Sequence, residues 1–274
     1  MSLVVAEWID CKAEQALEPG LLNIARTLGA TVNFIAGAYV INKPIIHPWT
    51  GGVMWMDWSL ANVQESPLVI EKYYRDLEKP FVWWSDLRHE PPDFEEQLKW
   101  MGLACIDKMV GLSYDMSTFR MHHFPDKFDV FMARESRDME EFVHLFDKCF
   151  DYSDAFKDEI RPQFRNQKFN GRVIHHIGYY RGHPVGIGTY AALTDHALIM
   201  NLGTDPKYRG NGYGTLMLEN LLATAYTHEM RKVLVIASQK EASFFLSRGF
   251  EKKVDFNVYA SQEIRKRWPQ DSNK

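Results

Sequence analysis

The sequence predicts an α+β protein with a mixed sheet, in which strands and helices alternate most clearly over residues 127–274. One observation is the glycine-rich loop Asp205–Gly214, which follows the apolar run Leu198–Leu202 and precedes a stretch with apolar residues at helical spacing. A second is Lys232–Ala237, a continuous apolar run with β-branched residues that is typical of a parallel strand buried on both faces. A third is the short helical stretch Ala242–Gly249, which Gly249 ends.

The same patterns predict the other elements of this part. The predicted order between residues 128 and 260 is β-α-α-β-β-β-α-β-α-β. The elements before the glycine loop are the strand Phe128–Ala133, the helices Glu140–Phe150 and Ala155–Gln167, and the strands Arg172–Tyr179 and Pro184–Ala192. In the helix after the loop, the apolar stripe consists of Leu218, Leu221, Leu222 and Ala225.

The first 120 residues are predicted to form a separate domain. The polar stretch Ser117–Lys127, which contains Pro125, is the predicted boundary, so the domains are 1–120 and 127–274. The predicted elements of the first domain are the strands Thr31–Val40 and Gly52–Trp58, the helix Glu71–Leu77, the strand Phe81–Trp84, the helix beginning at Phe94 and the strand Met109–Tyr114.

Composition is typical of a folded globular protein with balanced charge. Hydrophobic residues make up 46% of the chain and the formal net charge is −4, so the basic surplus of a nucleic-acid-binding protein is absent. The tract Arg265–Arg267 is interpreted as a solvated tail. No window approaches the ~18 apolar residues of a membrane span, and Met1–Gln15 lacks the order of a secretory signal. We therefore expect a cytoplasmic protein that binds neither nucleic acid nor a membrane.

The cysteines and histidines do not indicate a metal site. Cys11, Cys105 and Cys149 are too few and too scattered for a disulfide framework or a zinc site, which favours a reducing compartment. The pairs His122-His123 and His175-His176 are adjacent, and neighbours on a strand point to opposite faces, so neither pair can chelate one ion by itself. We expect no metal.

The glycine loop predicts a pyrophosphate site. Gly210, Gly212 and Gly214 permit positive φ and leave out Cβ atoms, so successive N–H groups can converge on one anion at a helix N-terminus. Arg209 adds a cation. The spacing does not fit the Gly-x-Gly-x-x-Gly of a dinucleotide fold, and no lysine precedes Thr215 as a Walker loop requires. A glycine-rich turn without a ligand is the alternative.

The order Arg-x-x-Gly-x-Gly, read at Arg209, Gly212 and Gly214, resembles the acyl-CoA signature of the GCN5-related N-acetyltransferases (GNAT). The short helix that ends in Gly249-Phe250 resembles the second signature of that family. The resemblance implies a GNAT-like acyl-CoA transferase fold in the C-terminal half and acetyl-CoA as cosubstrate. It implies an acetyl group transferred directly to a primary amine, on a small molecule, peptide or protein that the sequence does not identify.

The resemblance also assigns cofactor-binding residues. Leu202, Gly203 and Thr204 would pair with the pantetheine arm through their main chain, and Ser238 and Gln239 would contact that arm from the other side. An N-cap is the alternative role of Ser238, because Glu241 three residues later completes a capping box. The residues assigned to the pyrophosphate are Arg209, Gly210, Asn211, Gly212, Tyr213, Gly214 and Thr215.

The proton-transfer residues depart from the family pattern. The family commonly has a tyrosine four residues before the glycine of the second signature, where this chain has Phe245, which cannot donate a proton. Tyr259 is the candidate substitute, and His196 is the first candidate for the general base, with His175 or His176 next. A structural role is the alternative for each of them, and proton transfer through water needs none of them.

The N-terminal half resembles the tandem members of the family, whose first half has lost the cofactor loop. Phe94–Leu103 repeats the helix-then-glycine pattern of the second signature, whereas no Arg-x-x-Gly-x-Gly occurs before residue 117. A degenerate GNAT-like domain is therefore predicted, with an unrelated α+β domain as the alternative. Trp55, Trp58, Trp83 and Trp84 either line a substrate pocket or fill a core. The predicted function is N-acetyltransferase, and the alternative is a non-catalytic acyl-CoA sensor or scaffold.

Overall fold

The computed structural model of the chain describes residues 30–42, 52–86, 91–121, 125–166, 171–193, 195–261 and 264. The chain divides into two compact units, of which the first contains residues 1–112 and 236–274 and the second contains residues 113–235. The predictions made at Met1–Gln15, His122-His123 and Arg265–Arg267 lie outside the described residues.

Eleven strands and six helices are described in these ranges. The strands are β1 Thr31–Ile35, β2 Ala38–Asn42, β3 Gly52–Met56, β4 Val82–Asp86, β5 Ala104–Asp115, β6 Phe128–Met132, β7 Val173–Tyr180, β8 His183–Ala192, β9 His196–Thr204, β10 Lys232–Ser238 and β11 Glu251–Ala260. The helices are α1 Ser66–Asp76, α2 Phe94–Trp100, α3 Ser136–Cys149, α4 Asp154–Arg165, α5 Tyr213–Thr227 and α6 Gln239–Leu246. Short 3₁₀ turns cover Met116–Thr118 and Pro206–Tyr208.

The second unit is a mixed sheet with a helix on each face. β6, β7, β8 and β9 form an antiparallel meander, and β10 lies parallel to β9. α3 and α5 both pack on β7, β8 and β9. The neighbouring residues His175 and His176 show that the two helices cover opposite faces, because the first contacts Phe142 of α3 and the second bonds Asn220 of α5.

The first unit repeats the same order of pairing. β1, β2 and β3 form an antiparallel meander, α1 follows, and β4 lies parallel to β3, just as α5 connects the parallel strands β9 and β10. Gly102 at φ +80° ends α2, as Gly249 at φ +84° ends α6. The core includes Ile70, Trp83 and Phe94, all at most 1% exposed. The repeated order supports the predicted degenerate copy.

The predicted mixed α+β fold is confirmed, and most predicted elements are present within a few residues of their expected ends. The single strand predicted over Thr31–Val40 was wrong, because Ala36 at φ +51° and Gly37 at φ +86° form a two-residue turn that makes it a hairpin. The helix predicted at Glu71–Leu77 begins earlier, at Ser66, because Pro67 is well suited to the first helical turn.

The two compact units do not follow the predicted division at residues 117–127. Residues 236–274 group with the first unit because β11 pairs with β4, from Phe256 opposite Asp86 to Ala260 opposite Val82. A pairing between residues so distant in sequence leaves no local signal at a boundary. Across the ranges described, no helix has the length and apolar character needed to cross a bilayer.

Candidate functional site

β9 contains a bulge in its middle. Ile187 pairs with Gly203 and Thr189 with Met200, so Asn201 and Leu202 together stand opposite the single residue Gly188. Asn201 has φ +51°, a left-handed conformation that asparagine tolerates better than most side chains. The bulge therefore changes the course of β9 where the residues predicted to bind the pantetheine arm begin.

The bulge coincides with the end of the parallel ladder. His196–Ile199 pair with Lys232–Val235 of β10, whereas after the bulge the described pairing of Gly203 and Thr204 is with β8 alone. Alternate main-chain groups of this half-strand consequently point away from β8. Such an edge can pair with an extended ligand, as the edges of sheets do in strand addition.

The loop after β9 turns sharply before α5 begins. Asp205 caps the 3₁₀ turn by accepting a hydrogen bond from the Lys207 N–H at 3.0 Å. Gly210 at φ +80° and Gly212 at φ +84° then adopt left-handed conformations, and Gly212 is the N-cap of α5. A Cβ built on either glycine meets no atom within 4 Å. Packing does not require these glycines, and the space beside them is open to a ligand.

Five consecutive amides of this loop point to no acceptor within the part of the chain that the structure describes. They are the N–H groups of Gly210, Asn211, Gly212, Tyr213 and Gly214. The next two amides, of Thr215 and Leu216, donate to the Gly212 carbonyl at 3.0 and 3.1 Å. Unpaired amides at a helix N-terminus, with the positive end of the helix dipole behind them, are suited to bind a phosphate group.

The corresponding loop of the first unit lacks these features. Between β3 and α1 the chain satisfies its amides with its own side chains, since Asp57 accepts from the Ser59 N–H at 2.9 Å and Asn62 accepts from the Gln64 N–H at 2.9 Å. The N-cap of α1 is Glu65, whose carboxylate would repel an anion. This contrast gives a physical reason for the prediction that the N-terminal copy has lost the cofactor loop.

Arg209 holds the base of the loop. Its Nε donates to the Thr204 carbonyl at 3.1 Å and its Nη2 donates to the Cys149 carbonyl at 3.0 Å. Asn211 acts in the same way, because its Nδ2 donates to the carbonyls of Tyr208 and Arg209 at 3.1 Å each. Sequence reasoning assigned Arg209 only a charge beside the anion and did not foresee that it joins the loop to β9 and α3.

Aromatic rings pack against Tyr213 in the first turn of α5. Tyr213 stacks on Phe128 with ring centroids 5.7 Å apart and contacts Tyr180 at 5.1 Å. These rings pack beside the buried Val185 and Met217. The start of α5 is thereby fixed by apolar contacts, so its free amides are held in place without a ligand.

Gly203 allows α3 to approach β9 closely. A Cβ at this position would lie 2.7 Å from the Cys149 Cβ and 3.2 Å from its sulfur. Cys149 is buried, and burial together with the charge of Asp205 raises the pKa of its thiol to about 12. The thiol is therefore protonated near neutral pH and serves packing.

We expect Gly203→Ala to destabilise the protein by about 1–3 kcal/mol, because the new methyl group overlaps an atom bonded directly to the α3 backbone. Urea unfolding followed by circular dichroism measures the change. Cys149→Ala, which removes the sulfur but keeps the Cβ, should not relieve the loss in the double variant. An unchanged unfolding midpoint in Gly203→Ala would contradict the close approach.

His196 lies far from the loop. It is the first residue of the nine-residue strand β9, so about 26 Å of extended chain separates it from Thr204. Its Nδ1 bonds the Asp195 carboxylate, which also accepts from Arg231 at 3.0 Å. The structure does not bring this first candidate for the general base to the predicted pyrophosphate site.

His175 and His176 are buried on opposite faces of the sheet. Burial lowers the pKa of His175 to about 3, and the proximity of His176 adds to the effect. Burial also lowers the pKa of His176, although its hydrogen bond with Asn220 opposes the shift. Both imidazoles are neutral near pH 7, and neither is exposed to solvent.

The remaining predicted site residues belong to the first unit. Ser238 is the N-cap of α6 and forms the predicted capping box with Glu241, while Gln239 is exposed. Tyr259 is 1% exposed, and burial and a hydrogen bond with Glu95 raise its pKa. Phe245 is buried against Phe244 and Phe250, with ring centroids 5.1 and 5.4 Å away.

Three of the tryptophans described in the first unit pack in its core. Trp83 and Trp84 are each 1% exposed, and Trp58 contacts the buried Phe94 at 4.7 Å. The side chain of Trp55 lies outside the described residues. Core packing is therefore the role of the three described rings.

Comparison with known proteins identifies a similar architecture. Residues 139–250 match the acetyltransferase (GNAT) family. Three solved structures illustrate the likeness of the whole fold. A GCN5-related N-acetyltransferase from Kribbella flavida is 13% identical, with 90% of this chain and 97% of that chain covered and a TM-score of 0.63. One from Sphaerobacter thermophilus is 11% identical, with 95% and 92% covered and a TM-score of 0.63. A tandem GNAT protein from the clavulanic acid biosynthesis pathway is 14% identical, with 94% of each chain covered and a TM-score of 0.62.

At these identities the structural likeness establishes the fold. The tandem protein covers almost the whole chain, so the likeness includes the first unit as well as the second. No curated protein matches the chain in sequence.

Proposed function

We propose that this protein transfers the acetyl group of acetyl-CoA directly to a primary amine, because residues 139–250 match the acetyltransferase (GNAT) family. The observation that carries the proposal is the row of five unpaired amides from Gly210 to Gly214 at the start of α5. These amides fit the diphosphate of coenzyme A, and Arg209 beside them contributes positive charge.

The chain's own residues bind and orient the thioester substrate in this proposal. The loop from Arg209 to Thr215 holds the diphosphate, and the main chain of Leu202, Gly203 and Thr204, beyond the described ladder with β10, pairs with the pantetheine arm. Two fixed contacts along an extended substrate define where its thioester lies, which favours reaction with a correctly placed amine. Ser238 and Gln239 remain proposed contacts to the arm.

The acceptor nitrogen attacks the thioester carbonyl, the carbon–sulfur bond breaks, and coenzyme A leaves as its thiolate. The nitrogen loses one proton and the thiolate gains one. We propose that water carries both protons, because Phe245 has no proton to donate and a free thiol has a pKa of about 8.5, which makes its thiolate an adequate leaving group near neutral pH. His196 and Tyr259 stay predictions as acid–base residues, and their bonds to Asp195 and Glu95 give each a structural role.

The direct experiment measures thiol release from acetyl-CoA with a panel of small amines, peptides and protein N-termini, with mass detection of the acetylated product. We expect turnover that depends on the acceptor and falls about 10–100-fold in Arg209→Ala. That variant loses two charge-assisted hydrogen bonds at the base of the loop as well as a cation. The loss should appear mainly as a higher KM for acetyl-CoA.

Arg165→Ala is the matched control for this variant. Arg165 belongs to the same unit, is partly exposed and pairs with Glu140 on the surface, where an ion pair contributes little. Its removal should leave KM within about threefold. An equal KM for acetyl-CoA in the wild-type protein and Arg209→Ala would refute the proposed use of the loop.

A non-catalytic acyl-CoA sensor or scaffold is the second candidate. The observation that favours it is Phe245, a buried residue packed among phenylalanines where family members commonly have a proton donor. Calorimetric binding of coenzyme A without transfer to any member of the acceptor panel would support this candidate. Transfer that appears only in Phe245→Tyr would support it further.

A further inference from the structure

A line of hydrogen-bonded polar side chains leads from the partly exposed bulge of β9 into the buried face covered by α3. The Asn201 Nδ2 lies 3.2 Å from the Thr189 Oγ1, which lies 2.9 Å from the His175 Nδ1. Thr189 and His175 are 1% and 3% exposed. None of the three belongs to the glycine loop or to the second signature.

The hydrogen bond at the Asn201 end has one direction, whereas the one at the His175 end follows the tautomer of the imidazole. The Asn201 amide nitrogen can only donate, so the Thr189 oxygen accepts from it. The single hydroxyl proton of Thr189 is then available to the His175 Nδ1, which accepts it when the imidazole carries its own proton on Nε2. Phe142 and Phe164 enclose that ring at 4.6 and 5.6 Å, which keeps it neutral and fixed in orientation.

The three hydrogen-bonded side chains end at Asn201, whose left-handed conformation must be stabilised by its neighbours. Asn201 has φ +51°, and the left-handed conformation at this position starts the half of β9 that is paired with β8 alone. A strand that lost this conformation would straighten and shift the register of the residues that follow. Thr189 on the neighbouring strand β8 forms a hydrogen bond with the Asn201 side chain, and His175 forms one that orients the Thr189 hydroxyl.

We propose that Thr189 and His175 are positioning residues, which hold the bulge at Asn201 and thereby place the edge of Leu202–Thr204 that receives the arm of the acyl-CoA substrate. This inference rests on the proposed function for the identity of that substrate. The glycine loop binds the diphosphate independently, so the two parts of the site can be separated by their ligands.

Calorimetry with coenzyme A and with ADP tests the inference. Both molecules contain a diphosphate, but ADP lacks the pantetheine arm. Thr189→Val keeps the shape of the side chain and loses both hydrogen bonds, so we expect its Kd for coenzyme A to rise about 10-fold while its Kd for ADP stays within about threefold. Thr189→Ser keeps the hydroxyl and should bind both ligands as the wild-type protein does.

If Thr189 only stabilised the fold, the affinities for coenzyme A and ADP would change differently. If Thr189→Val weakens both ligands equally, or neither, or if Thr189→Ser behaves like Thr189→Val, the inference is overturned. Should Thr189→Val fail to fold, the partly exposed Asn201 provides the test. Asn201→Ala loses the side chain that Thr189 holds and the tolerance for left-handed φ, so it should weaken coenzyme A and spare ADP. Wild-type affinity of Asn201→Ala for coenzyme A would overturn the inference.

The same measurements distinguish this inference from the proposed function. A wild-type protein that binds coenzyme A but acetylates no acceptor refutes the transferase, yet the ratio of the two Kd values still reports on Thr189. If transfer is observed, the kcat of Thr189→Val should fall about 10-fold and that of Thr189→Ser should remain within threefold.

Discussion

Replacement of Gly212 by aspartate is expected to raise the KM for acetyl-CoA more than about 100-fold. Gly212 is the N-cap of α5 and has φ +84°, in the middle of the row of unpaired amides. A carboxylate there repels the diphosphate and can accept the same N–H groups, so the protein's own side chain replaces the ligand. The left-handed conformation costs about 1–2 kcal/mol in a residue with a Cβ, but an aspartate N-cap offsets part of that cost, so the fold should persist.

Gly171→Asp is the matched control. Gly171 has φ +71° and an open site for a Cβ, and it precedes β7 at the end of the sheet where β9 begins, away from the loop. The Gly171→Asp substitution also places a side chain on a residue with left-handed φ, but it leaves the amides of the glycine loop unchanged. We expect its KM to stay within about threefold, as measured by initial rates at varied acetyl-CoA. Binding of coenzyme A by Gly212→Asp at wild-type affinity would rule out this loop as the diphosphate site.

Acid should destabilise the second unit through its two buried histidines. The folded state lowers the pKa of His175 to about 3 and also lowers that of His176, mainly because both are buried. Their values in the unfolded chain lie near 6.5, so the unfolded state binds more protons below that pH. The stabilisation is fully present above about pH 6.5 and is lost as the pH falls, by up to about 1.4 kcal/mol per pH unit for each histidine.

Urea unfolding between pH 7.5 and 4.5 measures this slope. His176→Gln should reduce it, because a neutral side chain then replaces one of the two groups that bind a proton on unfolding. His144, which is exposed on α3, provides a surface control as His144→Gln. A free energy of unfolding that stays constant down to pH 4.5 would show that the two imidazoles gain no protons on unfolding.

The glycine loop could be predicted because its signals are local. Gly210 and Gly212 have the positive φ that only glycine adopts readily, and the helical spacing of Leu218 and Leu221 fixed where α5 follows. The capping box of Ser238 with Glu241 was predictable for the same reason. Each of these features depends on residues within a few positions of one another.

The features of the site that the sequence did not predict depend on contacts between residues that are distant along the chain. The sequence places His196 two residues before the predicted apolar run Leu198–Leu202, and its distance from the loop followed only from the structure, in which β9 is one strand of nine residues. The bulge at Asn201 had one available signal, an asparagine within an apolar strand, where that residue is uncommon and where it tolerates left-handed φ. The role of Arg209 as a link to Cys149 joins residues sixty positions apart.

The pairing of β11 with β4 imposes an order on biosynthesis. A ribosome releases residue 86 long before residue 256, so the nascent first unit lacks the strand that borders β4 until the second unit has been made. The second unit, residues 113–235, leaves the ribosome in one uninterrupted stretch and can fold while its neighbour waits. A nonsense codon shortly after residue 235 would therefore remove β11 and damage the first unit, although most of that unit is encoded before the second.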